Sequence, residues 1–118
     1  ISNKIMTKNE YQLTDGLQQM LKLGEVFTCQ KISGWLDCGL PETILQTNKT
    51  LFEAAKANWV AADAFVNHSQ LKTSHISSGC RVENSILDNV IMLQDSIVEN
   101  SRIRNRIVGL GEIIRGSE

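Results

Sequence analysis

Four groups of side chains in this sequence could do chemistry. Gly34-Trp35-Leu36-Asp37-Cys38-Gly39 sets a carboxylate between two glycines. On its own residues Asp37 reads as a turn-former before Gly39, since aspartate bonds readily to backbone close by. His68 and His75 lie seven residues apart, with Cys80 five further on. That is no recognised metal spacing, and both histidines read as ordinary strand or loop residues. Cys29, Cys38 and Cys80 are odd in number and form no C-x-x-C pair. They argue against a secreted disulfide framework and a zinc site, and read as small buried or half-buried thiols. Arg102, Arg104 and Arg106 alternate, which puts them on one face of a strand. Such a stripe suits a phosphate or an acidic partner surface; a solvated outer face is the plainer reading.

These groups sit in a chain of 118 residues with 12 basic and 13 acidic side chains and a net charge of -1. That length allows one domain or two very small ones. The near-neutral balance argues against a general nucleic-acid binder. Apolar residues make up 42% and aromatics 5%, so aliphatic side chains must fill the core. No apolar run approaches the roughly 20 residues that span a bilayer, so no membrane partner is expected. No signal-peptide layout is present, which predicts a cytoplasmic location. The start at Ile1, without methionine, is what a fragment of a longer protein would show. Every Lys but Lys72 precedes residue 60, and every Arg stands at or after Arg81, which hints at two segments.

The elements that must position these groups follow from pattern. Thr14 is a candidate cap for a helix starting at Asp15, whose carboxylate suits the positive helix end. Leu13, Leu17, Met20 and Leu21 give that helix one apolar face, and Gly24 is its expected stop. Val26 to Ile32 alternates and predicts a strand. Pro41 stands where a second helix should begin. Ile44, Leu45, Leu51, Phe52 and Ala55 mark one face of about four turns, and Asn58 ends the pattern.

From about residue 60 the texture changes to Ile, Val, Ser and Asn. Glu83-Asn84-Ser85-Ile86-Leu87, Gln94-Asp95-Ser96-Ile97-Val98 and Arg104-Asn105-Arg106-Ile107-Val108 resemble one another, at offsets of 11 and 10. Aliphatics also recur six apart, as in Ile76 to Val82 and Ile97 to Ile103. Short strands at near-constant spacing predict a solenoid. A period near six predicts a left-handed parallel β-helix of hexapeptides, about 18 residues per coil and two to three coils long. Asn84, Asn89, Asn100 and Asn105 are then the tight corners, because asparagine tolerates a left-handed backbone.

Two stretches resemble a known family. Glu10-Tyr11-Gln12-Leu13-Thr14-Asp15-Gly16-Leu17-Gln18 is similar to the E-Y-Q-L-T-D-A-L-Q segment of bacterial sugar-1-phosphate nucleotidylyltransferases. Gly34 to Thr43, running on to Asn48, resembles their G-W-x-D-x-G-x-P-E-x-x-x-x-x-N segment, about twenty residues later as in the family. A hexapeptide β-helix after the second segment matches longer members, including glucose-1-phosphate thymidylyltransferase-like proteins. The resemblance implies a mixed α and β fold: a helix-strand-helix segment from the edge of an α/β nucleotidyltransferase domain (residues 1–57), then a partial left-handed parallel β-helix (residues 58–118).

It also implies a reaction, in which a sugar-1-phosphate oxygen attacks the α-phosphorus of an NTP to give an NDP-sugar and pyrophosphate. Asp37 matches the family's metal-binding aspartate, which implies Mg²⁺, a cation that prefers carboxylate oxygens. Gly39 would let backbone approach the substrate closely. Thr14 and Trp35 match positions bordering the sugar; on their own residues they read as a helix cap and a core aromatic. Glu10 and Asp15 fall inside the motif without an assigned role.

The family's G-x-G-T-R-L-x-P-x-T-x-x-x-P-K-like triphosphate loop has no counterpart here, and no Arg precedes residue 81. The family's second metal ligand is likewise absent. The expectation is therefore a C-terminal fragment, inactive alone, whose parent takes NTP and sugar-1-phosphate. A short solenoid with open strand edges also predicts a homo-oligomer. The rival functions are a non-enzymatic β-helix assembly module and a hexapeptide-repeat acyltransferase with a catalytic His.

Overall fold

The computed structural model of this chain describes residues 12–116. Glu10 and Tyr11, the start of the first motif, lie outside the described residues. The chain divides into two compact units, Ile1–Gly34 and Trp35–Glu118.

In the first unit, α1 spans Leu13–Lys22. The helix starts two residues earlier than Thr14 and Asp15 suggest. Gln12 is the flanking residue, and its side chain makes no capping hydrogen bond. Thr14 therefore sits inside the first turn, too far along to accept from the first free N–H groups. Asp15 does lie in that turn. At the other end, Gly24 has φ 85°, its N–H bonds Leu21 O at 3.1 Å, and Glu25 N–H bonds Met20 O at 3.1 Å. This paired closure is the left-handed glycine stop the sequence predicts. The stretch Val26–Ile32 forms no strand. Alternation supplies two faces but not a pairing edge, and Val26 and Ile32 are exposed.

The second unit begins with an irregular stretch and α2, Pro41–Ala55. Proline takes the first helical position, as expected. Thr43 tightens the start: its hydroxyl accepts Leu40 N–H at 3.1 Å and donates to Leu40 O at 2.9 Å. Lys56 ends the helix in the left-handed region, φ 50°. Ile44, Leu45 and Phe52 are half-buried, Asn48 is buried, and Leu51 is exposed. The covered face thus turns away from Leu51 and centres on a polar residue.

Among the described residues, nine short strands then wind as a parallel β-solenoid: β1 Trp59–Val60, β2 Phe65–Asn67, β3 Gln70–Lys72, β4 His75–Ile76, β5 Arg81–Glu83, β6 Ile86–Met92, β7 Ile97–Glu99, β8 Arg102–Val108 and β9 Ile113–Arg115. Every pairing is parallel and keeps one register, which advances by a full coil at each step. Phe65 lies beside Arg81, Arg81 beside Ile97, and Ile97 beside Ile113. The first side stacks β2, β5, β7 and β9. The second stacks β3 on the first halves of β6 and β8. The third stacks β1, β4 and the second halves of β6 and β8. There are about four turns, more than the two to three expected.

The coil repeat separates equivalent residues by sixteen positions, as between Ser69 and Ser85, which is two fewer than three hexads require. The corners show why. His68, Thr73, Gly79, Asn84, Asn89, Asp95, Asn100, Asn105, Gly111 and Gly116 all have φ between 45° and 69°. Their steps are five, six and five in rotation. A single left-handed residue turns two of the corners; the third carries a longer turn, as at Ser78-Gly79. Asparagine, aspartate and glycine suit this backbone because others clash there. The four asparagine corners predicted from sequence are among them. Inside, three aliphatic columns form the core: Val66, Val82, Val98 and Ile114; Leu71, Leu87 and Ile103; Ile76, Met92 and Val108.

Polar ladders run beside these columns. Ser69 Oγ accepts Ser85 N–H at 3.0 Å, and Ser85 Oγ accepts Ser101 N–H at 3.1 Å. Asn89 Nδ2 donates to Asn105 Oδ1 at 3.0 Å. Such chains satisfy buried polar atoms that water cannot reach.

Candidate functional site

The second motif folds around Asp37. Its Oδ1 accepts Gly39 N–H at 3.2 Å, the turn role the residues alone suggest. Its carbonyl accepts the Thr47 hydroxyl at 3.0 Å, which ties the loop to the second turn of α2. Asp37 is exposed and leaves an oxygen edge toward solvent. A Cβ at Gly39 would stand 3.5 Å from Asp37 Oδ1, an ordinary contact, so local packing does not itself demand glycine there. Trp35 is 79% exposed and packs in no core, contrary to its reading as a core aromatic. Thr14 is exposed on α1, in the other unit.

Mg²⁺ is usually bound through one or two carboxylates, with phosphate and water oxygens filling the shell. Asp37 fits as one such donor. Among the described residues, no group of three or more His, Cys, Asp or Glu could hold a metal ion.

Next to Thr47 stands Asn48, the last residue of the motif. Its Nδ2 donates to Thr73 O at 2.7 Å and to Asn89 Oδ1 at 2.9 Å. Thr73 occupies the corner that Asn89 and Asn105 fill in the next two coils. An asparagine at 73 would carry the amide that donates to Asn89. Threonine cannot, and Asn48 supplies that amide from α2. Thr73 Oγ1 is buried with no partner among the described residues, and its branched side chain sits at φ 47°. The sequence marks Asn48 only as the end of a motif. Its partner lies 41 residues away, so no local signal could have revealed it.

The other candidates disperse. His68 is an exposed corner, while His75 stacks on Trp59 with ring centroids 4.3 Å apart. Burial pushes the His75 imidazole below its ordinary value of 6.5. Cys80 is buried, with its thiol on Leu93 O at 3.1 Å. Cys29 and Cys38 are exposed rather than half-buried. Asp63 Oδ2 accepts the Ser78 hydroxyl at 2.6 Å and Gly79 N–H at 3.2 Å. The Ser78 bond, foremost, holds its carboxyl below the usual 3.8.

The arginine stripe is bent. Asn105 turns the chain inside β8, so Arg102 and Arg104 lie on the second side and Arg106 on the third. Arg106 stands below Val90 in a column that is buried in the coils above. Its Nη2 meets Glu112 Oε1 at 2.7 Å. Glu112 continues the column of Cys80 and Ser96, both buried, one coil further on at each step. Two inward positions of the last described coil thus carry an ion pair in place of apolar or hydroxyl side chains.

No helix among the described residues is long and apolar enough to cross a membrane. Comparison with protein-family models, with curated proteins and with solved structures finds no match to this chain.

Proposed function

We propose that this chain is the C-terminal part of a sugar-1-phosphate nucleotidylyltransferase of the glucose-1-phosphate thymidylyltransferase-like kind, with a left-handed β-helix. The observation that carries the reading is an order of parts. A G-W-x-D-x-G-x-P-E segment opens α2, and α2 leads straight into a parallel solenoid on which its asparagine docks.

In this reading the parent binds NTP and sugar-1-phosphate and releases pyrophosphate, and Mg²⁺ supplies charge neutralisation among the phosphates when bound. Asp37 would give the ion one carboxylate oxygen; Gly39 N–H orients its carboxylate and the Thr47 hydroxyl holds its backbone carbonyl. Trp35 offers a bare ring to a sugar face, and Thr14 an exposed hydroxyl to a sugar OH. The 118-residue chain has no triphosphate loop, so alone it is inactive. Self-association belongs to the same reading. Exposed Phe65 and Ile113 on the first side offer apolar surface for it.

The test is pyrophosphate release by the protein that carries this segment with a triphosphate loop upstream. Asp37→Asn should strongly reduce Mg²⁺-dependent release while the fold persists by circular dichroism. Unchanged turnover at limiting Mg²⁺ would remove Asp37 from the metal. A parent without the loop would hand the function to an assembly module.

A further inference from the structure

The outer face of the second side carries charge that the proposed reaction does not use. The coil register stacks Lys72, Asp88 and Arg104 in one outward column and Gln70, Ile86 and Arg102 in the next. Asp88 is shared: Lys72 Nζ lies 3.8 Å away on one side and Arg104 Nε 3.2 Å away on the other. One carboxylate therefore stands against three cations. Arg81, Arg106 and Arg115 each meet a glutamate. Arg102 is the one arginine without an acidic partner among the described residues, and it is exposed.

These residues line a shallow depression of about 750 Å³. That lies within the roughly 300–1,000 Å³ of small-molecule sites. Arg102 and Arg104 alternate on one strand, so their side chains leave the sheet about 7 Å apart and on the same face. Two guanidinium forks at that spacing can each take a phosphate oxygen edge, a pairing that lysine serves only as a point charge. Ile86 adds an apolar side chain to the lining and Gln70 an amide, in the same outward column as Arg102.

We propose that this face binds a small phosphate-bearing molecule, with Arg102 and Arg104 as its main ligands and Lys72 as a third cation. Three cations make too small a patch to track a nucleic-acid backbone, and the net charge of -1 agrees. The proposal does not depend on the nucleotidylyltransferase reading, because it uses none of Thr14, Trp35 or Asp37.

The test is an amide chemical-shift titration of the 118-residue chain with inorganic pyrophosphate, repeated with glycerol 3-phosphate. Saturable shifts centred on residues 70–72, 86–88 and 102–104 are expected with at least one probe. Tighter pyrophosphate binding assigns the site to phosphate charge, and tighter glycerol 3-phosphate binding extends it to the carried group. Arg102→Ala should weaken the better probe about tenfold or more, the loss of a charge-assisted bond pair. Arg102 is exposed and unpaired, so this change leaves the fold intact. Arg115→Ala, on the first side, should change nothing. Absence of saturation with both probes, equal affinity in Arg102→Ala, or an equal loss in Arg115→Ala would overturn the proposal.

Discussion

The solenoid carries different chemistry at its first coil and at the last described one. At the N-terminal end an amide from α2 is built into the asparagine ladder, buried and bonded to two acceptors. At the C-terminal end Arg106 and Glu112 form an ion pair that still touches water. The first works by satisfying atoms that have no other partner, so its loss should be felt in stability. The second adds little to stability, since exposed ion pairs contribute about 0–1 kcal/mol. Its effect lies in what can stack on it: a coil placed beneath, from this chain or another copy, has to accommodate both charges. The first is a joint with a helix; the second is a charge pair set at inward positions.

The largest expected effect is at the joint. Asn48→Ala should cost about 2–4 kcal/mol in urea unfolding, because it strands Asn89 Oδ1 and Thr73 O. Adding Thr73→Asn should recover part of that loss, since it restores the missing amide and removes a branched residue from the left-handed region. If Thr73→Asn gives no recovery, the substitution of one amide for another is wrong.

At the ion pair, Arg106→Leu should change stability by about 1 kcal/mol or less; adding Glu112→Leu should cost about 1–2 kcal/mol more, because it also strips Gly109 N–H of its acceptor at 2.6 Å. Light scattering should nevertheless show larger assemblies than the unaltered chain forms, increasing with concentration. An unchanged mass would mean the ion pair does not limit stacking of one copy on another.

A smaller effect separates the ends by pH. His75, stacked under Trp59 in the upper coils, has a folded pKa held below 6.5 by burial. The unfolded chain then takes up the proton first as pH falls. Stability is therefore full above about pH 6.5 and declines as pH drops toward the folded value. His75→Phe should keep the ring stack and flatten that slope below about pH 6.5. A slope that survives His75→Phe would assign it elsewhere.

The solenoid is legible in the sequence because its corners are chemical. Asn84, Asp95 and Asn105 stand second in the three similar units, and the offsets of 11 and 10 are five plus six and five plus five. The hexad spacing of Ile76 and Val82 misleads, because those two bracket the one corner that takes six residues. Ile97 and Ile103, also six apart, are not equivalent: Ile97 faces outward half-buried and Ile103 inward. Val26–Ile32 fails as a strand because alternation says nothing about a partner edge. Arg106 joins Arg102 and Arg104 on one face only if a straight strand runs through Asn105, and it does not. In the candidate site, the Asp37 turn is readable from Gly39. The Asn48 joint is not, because a ladder formed by register across 41 residues leaves no local trace.

If α2, the helix that the Asp37 motif opens, is part of the solenoid rather than merely beside it, Asn48 and Asn89 must be energetically coupled. A double-mutant cycle between Asn48→Ala and Asn89→Gly tests this most directly, glycine being chosen because Asn89 has φ 55°. The two changes should be coupled by about 1–2 kcal/mol in urea unfolding, as expected for groups in one bonded chain. Additivity within about 0.5 kcal/mol would contradict it, and would leave the helix without its bond to the ladder.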